Sequence, residues 1–121
     1  MTDSMKTKII FLLFTSVLLL SSCNEAKIQV TNNVHNVRLD NISFSKISIS
    51  SRLLPGETAE TIISDMYKDI SFPVTAQLEF YMVKGDRRVY LRTKKYYQVD
   101  KGETLTIVIK DDTEVVNPMT E

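Results

Sequence analysis

Phe72-Pro-Val-Thr-Ala-Gln-Leu-Glu-Phe-Tyr-Met-Val83 is followed by Lys84-Gly85-Asp86-Arg87 and then by Val89-Tyr-Leu-Arg-Thr-Lys-Lys-Tyr-Tyr-Gln-Val99. This stretch decides the fold. Its hydrophobic spacing is two, the period at which successive side chains of a strand change face. One face carries Phe72, Val74, Ala76, Leu78, Phe80 and Met82; the other carries Thr75, Gln77, Glu79, Tyr81 and Val83. Gly85-Asp86 suits a two-residue hairpin loop, because glycine enters positive φ without a steric cost. The loop fixes a register. It sets Met82 opposite Val89, Phe80 opposite Leu91, Leu78 opposite Thr93, Val74 opposite Tyr97 and Phe72 opposite Val99. On the outer face it pairs Tyr81 with Tyr90 and Glu79 with Arg92, each pair worth about 0.2–1 kcal/mol. A one-residue slip would turn a whole face over, so the register is strongly specified.

Downstream, Asp100-Lys101-Gly102 fits a three-residue hairpin loop. That loop pairs Val99 with Glu103, Tyr97 with Leu105, Lys95 with Ile107 and Thr93 with Ile109. A four-residue loop would instead bring Thr104 and Thr106 onto the inner face, so the shorter one is preferred. Residues 72–110 then form a three-stranded meander. Upstream, Ile28–Val34 is one strand. Val37–Ile49 reads as a longer one whose alternation breaks between Phe44 and Ile47, which predicts a bulge or a bend carrying the strand between sheets. Leu53-Leu54-Pro55-Gly56 carries a Pro-Gly type II turn. Ile62 and Ile63 begin another strand, and Ser64–Asp69 is a loop or a single helical turn. No segment after residue 23 keeps a helical period. Six or seven short strands at near-regular spacing predict an all-β protein: a single small antiparallel β-sandwich over residues 28–111, followed by a flexible tail at 112–121.

The N-terminal segment has another character. Lys6 and Lys8 precede the apolar run Ile9–Leu20, which is short of the roughly 20 residues a membrane-spanning helix needs. It reads as the core of a signal peptide that starts at Met1 or at Met5. Leu20-Ser21-Ser22-Cys23 then resembles the lipobox of bacterial lipoproteins. The resemblance implies that residues 1–22 are removed and that Cys23 becomes an acylated N-terminus. It also implies that 23–27 is the lipidated tether of a protein held in the cell envelope by its lipid. One acyl chain binds a membrane only marginally, and lipoproteins of this kind carry two or three. An Asp after the cysteine retains some lipoproteins in the inner membrane. Asn24 stands here, which favours the outer membrane, on its periplasmic or its surface-exposed side. Small lipoproteins of this layout often have an immunoglobulin-like or transthyretin-like sandwich, and residues 27–111 resemble that general plan. The disulfide and buried Trp of true immunoglobulin domains are absent, since the chain has one Cys and no Trp.

Composition narrows the chemistry. Basic and acidic residues balance at 15 each over the whole chain. Without Lys6, Lys8 and Asp3 the exported part is slightly acidic, which argues against nucleic acid as a partner. His35 is the sole histidine and Cys23 the sole cysteine, so no His/Cys zinc site and no Cys nucleophile are expected. The three glycines, Gly56, Gly85 and Gly102, all fall in expected turns, leaving none for a phosphate-binding loop. Asp65, Asp69, Asp111 and Asp112 read as loop and end-of-strand charge. The expectation is therefore no catalytic residue, no metal and no cofactor beyond the covalent lipid on Cys23. The candidate contact surface is the outer face of the long ribbon, with Tyr81, Tyr90, Arg92, Lys94 and Tyr96, and with Arg87 and Arg88 near its tip. Tyr and Arg are over-represented at binding hot spots. The expected role is a non-enzymatic interaction or structural accessory module with an envelope protein or glycan as partner. The alternative is a carrier of a small ligand or an inhibitor of an envelope enzyme.

Overall fold

The structure is a computed structural model that describes residues 24–64 and 70–120. The expected signal peptide, Cys23 and most of the Ser64–Asp69 segment lie outside the described residues. The protein is all-β, with ten strands and no helix among the described residues. They are β1 (Glu25–Asn33), β2 (Arg38–Phe44), β3 (Ile47–Leu53), β4 (Thr58–Ser64), β5 (Val74–Ala76), β6 (Leu78–Lys84), β7 (Arg87–Thr93), β8 (Tyr97–Val99), β9 (Thr104–Lys110) and β10 (Val115–Val116). A three-stranded sheet ordered β4-β1-β9 packs on a five-stranded sheet ordered β10-β7-β6-β2-β3, and β5 pairs with β8 as a separate ribbon.

The β6–β7 hairpin has the register expected from its loop. Met82 faces Val89, Phe80 faces Leu91, Tyr81 faces Tyr90 and Glu79 faces Arg92, and Gly85 turns at φ +60°. Leu78, Phe80 and Leu91 point inward and meet Leu39, Ile42 and Phe44 from β2 with Ile28, Val30, Ile107 and Ile109 from the other sheet. Each such side chain, when fully buried, contributes about 1.5–3 kcal/mol. The ordering works because two half-apolar sheets have to cover one another to keep both inner faces dry.

Two odd steps in hydrophobic spacing shape β2 and β3. From Leu39 to Ile42 the chain inserts a bulge: Asp40 and Ser43 face Tyr81 and Glu79, so Asn41 and Ile42 together oppose Phe80. Asn41, at φ +48°, takes up the extra residue. From Phe44 to Ile47 it makes a tight hairpin, with Phe44 paired to Ile47. This corrects the expected bulge or sheet-crossing bend at that point. Ser45 and Lys46 both have positive φ, +51° and +69°, which in a two-residue loop is the type I′ turn favoured by strand twist. Serine and lysine do not advertise that turn as Asn-Gly does. The Pro55-Gly56 turn forms as expected, with Gly56 at φ +86° and the Glu57 N–H donating to the Leu54 carbonyl at 3.0 Å.

The expected meander ends one strand early. Asp100-Lys101-Gly102 does turn, with Gly102 at φ +79°. The Gly102 N–H then donates to the Glu25 carbonyl at 2.8 Å, and the Lys27 N–H to the Glu103 carbonyl at 2.9 Å. These bonds hand β9 to β1 as a parallel neighbour, with Val30 beside Ile107. Among the described residues it is the one parallel pair, the other ladders being antiparallel. The ribbon also changes register beyond Thr93. Val74 faces Val99 and Ala76 faces Tyr97, two residues from the expected pairing. The cause is Thr93, fully buried, whose hydroxyl accepts the Leu78 N–H and donates to the Lys95 carbonyl, both at 2.9 Å. That loops out the Lys94–Tyr96 segment.

The domain is also longer than expected at both ends. β1 starts at Glu25, within the expected tether, and the expected flexible tail carries β10, which pairs with Arg92 and Thr93 of β7.

If the Ser45-Lys46 loop is type I′, the pair Ser45→Asn/Lys46→Gly raises the free energy of unfolding by about 1 kcal/mol. Lys46→Val, β-branched at positive φ, lowers it by a similar amount. Urea denaturation of both variants measures the change; a stabilising Lys46→Val would rule the turn out.

Candidate functional site

The outer face of β2, β6 and β7 carries a connected cluster of polar and aromatic side chains. The short side of the β6–β7 pairing brings the Tyr81 and Tyr90 ring centroids to 5.1 Å, tilted by 31°. The Arg88 guanidinium lies 4.1 Å from the centroid of Tyr81, in cation–π range. The Tyr90 hydroxyl donates to Glu79 Oε1 at 2.7 Å. Across β2, the bulge points Asp40 outward beside Tyr81.

Asp40 is 7% exposed, and a buried carboxylate needs partners. Arg38 donates to it twice, Nε to Oδ1 at 2.8 Å and Nη2 to Oδ2 at 3.1 Å. Arg88 Nη1 lies 3.5 Å from Oδ2. The paired N–H donors and carboxylate oxygens make a charge-assisted fork of the stronger kind. One carboxylate thus fixes two guanidinium groups, and one of these fixes a tyrosine ring.

Of the residues singled out from sequence, the structure brings Tyr81, Tyr90 and Arg92 together. Arg92 is half-buried, facing Glu79 on one side and Val116 on the other. Lys94 and Tyr96 do not join them, because the chain leaves the ladder after Thr93. Lys94 is exposed, 3.6 Å from the Glu114 carboxylate, and Tyr96 is 64% exposed in the irregular segment before β8. Arg38 and Asp40 escaped the sequence reading. Their spacing, Arg38-Leu39-Asp40, does put them on one polar face of a strand. What was missing was the knowledge that β2 lies beside β6.

A second feature is an open cleft of about 550 Å³ between the end of β9 and the segment after β7, lined by Lys94, Lys95, Tyr97, Lys110, Asp112 and Glu114 among others. The Lys95 ammonium lies 5.1 Å from the Tyr97 ring centroid. His35 is exposed, and its backbone N–H donates to Asp111 Oδ1 at 2.9 Å. Asp111 and Asp112 are exposed in the turn after β9, while Asp65 and Asp69 lie outside the described residues. Among the described residues no three His, Cys, Asp or Glu side chains gather to hold a metal, and no helix is long and apolar enough to cross a membrane. Comparison with known protein families, with curated proteins and with solved structures finds no match to this chain.

The hydrogen bond to Glu79, with burial second, raises the Tyr90 hydroxyl above its ordinary value of 10.0. Burial alone raises Tyr97. A raised folded-state value means that this stabilisation is complete below the unfolded value, near 10.0, and is lost as pH rises through the folded one. Tyr90→Phe should therefore lose less stability than the unsubstituted chain between about pH 8 and about pH 11. Unfolding midpoints across that range measure the difference, and parallel curves would show that Tyr90 is not held by Glu79.

Proposed function

We propose that this protein is a lipid-anchored component of a bacterial cell envelope whose sandwich is a non-enzymatic interaction module. In this reading Cys23 carries the lipid. The outer face of the five-stranded sheet, centred on Tyr81, Tyr90 and Arg88, meets an envelope protein or glycan. The observation that carries the reading is the Arg38–Asp40–Arg88 cluster beneath Tyr81. It holds rotamer-rich side chains in place before any partner arrives, which lowers the entropic cost of binding. Tyr and Arg are the side chains that dominate hot spots, and a face so arranged suits recognition.

The anchor and the fold fit one another. Only Asn24 separates Cys23 from the start of β1, and two residues span about 7 Å at most. The Glu25 end of the sandwich then lies against the bilayer. Ser64 is at the same end, paired with Glu25, as is the turn at Gly102, bonded to the Glu25 carbonyl. The β5–β6 and β7–β8 arms start beside that turn, where Val74 meets Val99, and run away from it towards Gly85. The tyrosine–arginine face is thereby carried clear of the headgroups.

Anchoring is tested by expressing the full chain in a bacterium, separating membranes from the soluble fraction and weighing the mature N-terminal peptide. A diacylated or triacylated peptide beginning at Cys23 is expected, and Cys23→Ser should move the folded protein into the soluble fraction. An unmodified Cys23, or a Cys23→Ser chain that stays on the membrane, overturns the reading.

A further inference from the structure

Among the described residues the edge of β7 is covered for only part of its length. β10 pairs with Arg92 and Thr93, and continuing its register would bring Asn117 beside Leu91 and Pro118 beside Tyr90. The tail turns off instead. Asn117 Oδ1 accepts the Met119 N–H at 2.9 Å and the Asn117 carbonyl accepts the Thr120 N–H at 3.1 Å, while Pro118 has no N–H to offer a ladder. Among the described residues no strand lies on this side of Arg87–Leu91. The β3 and β4 margins, by contrast, meet one another: the Thr61 hydroxyl of β4 donates to the Ile49 carbonyl of β3 at 3.4 Å.

The backbone groups shown at this edge follow from parity. The Lys94 N–H donates towards β10, to the Glu114 carbonyl at 2.9 Å. The Thr93 carbonyl points the other way, accepting from Gln77 Nε2 at 2.9 Å. Strand alternation then aims the N–H and C=O of Arg88 and Tyr90 out to the open edge, and those of Val89 and Leu91 towards β6.

We propose that this edge accepts an extended acidic segment of a partner protein as an added strand, antiparallel to β7 and in line with β10. The proposal deepens the contact-face reading and rests on it, since the new strand would lie beside Tyr90 and Arg88. Charge selects the occupant. Lys84, Arg87 and Arg88 at the hairpin tip outweigh Asp86, so an acidic residue opposite Arg88 would gain a cross-strand pair. Apolar residues at the alternate positions would cover half-buried Val89 and extend the core as Val115 does. A second copy of the chain fits less well. Antiparallel pairing centred on Tyr90 sets Arg88 against Arg92, and centring it on Val89 sets two Arg88 side chains diagonal to one another with Arg87 against Leu91.

The test is residue-resolved amide exchange on the full chain in detergent micelles, titrated with a synthetic peptide of alternating glutamate and valine. Exchange at the Tyr90 and Arg88 amides should slow by about tenfold or more at saturation, with Val89 and Leu91 unchanged. The same peptide N-methylated along its pairing edge, or with lysine for glutamate, should not protect them, and Arg87→Glu should weaken binding severalfold. No binding, equal protection by the lysine peptide, or a chain that sediments as a dimer through this edge overturns the proposal. Binding that Tyr81→Ser abolishes but that leaves both amides unprotected overturns strand addition alone and leaves the contact face standing.

Discussion

The Gly85-Asp86 loop permits one pairing of β6 with β7, and most of the molecule follows from it. The pairing puts Leu78, Phe80 and Leu91 on one side of the sheet and Glu79, Tyr81, Tyr90 and Arg92 on the other. The first set is buried against the β4-β1-β9 sheet. The second is free to become a surface with its own order. A slip of β7 by one residue would turn its two faces over, burying Arg88 and Arg92 and exposing Leu91. The cost would be several kcal/mol, an appreciable part of the about 5–15 kcal/mol that stabilises an ordinary domain.

Side-chain hydrogen bonds decide where strands stop or change partner. Thr93 ends the β7 ladder by giving its hydroxyl to Leu78 and Lys95. Asn32, fully buried in β1, donates to the Val37 and Leu53 carbonyls and accepts the Val34 N–H. It thus ties the end of β1 to the residue before β2 and to the last residue of β3. Both residues are polar and both are satisfied, as burial requires. The Asn41 bulge has the same standing, because it keeps Ile42 and Phe44 inside while leaving Asp40 outside to organise the arginines.

What could be read from the residues has a physical boundary. The β6–β7 register was legible because its turn is short, glycine-bearing and flanked by clean alternation. The all-β sandwich was legible because no segment after residue 23 keeps a helical period. The parallel β1–β9 pair was not, since its contacts join segments about seventy-seven residues apart and nothing local announces them. The Ser45-Lys46 turn lacked the residues that mark positive φ, so a hairpin looked like one bent strand. The two-residue shift beyond Thr93 depends on a threonine hydroxyl becoming a ladder partner, which hydrophobic spacing does not report. Of the candidate site, the Tyr81–Tyr90 pair followed from register, whereas Asp40 required knowing which strand lies next to β6.

The functional reading combines a local motif and a long-range arrangement. The lipobox-like Leu20-Ser21-Ser22-Cys23 is the basis of the proposed membrane address, and the ordered outer face is the basis of the proposed contact surface. The pairing of Tyr81 with Tyr90 is the element on which the face, the Asp40 cluster and the parity of the open edge all depend. Parity makes it a non-hydrogen-bonded pair, with Cα atoms about 4.5 Å apart. The direct measurement is the cross-strand Hα–Hα nuclear Overhauser effect in the folded chain. A strong effect between Tyr81 and Tyr90, with others between Glu79 and Arg92 and between Val83 and Arg88, is predicted. An effect joining Tyr81 to Val89 or to Leu91 would mean a slipped register and would contradict the account.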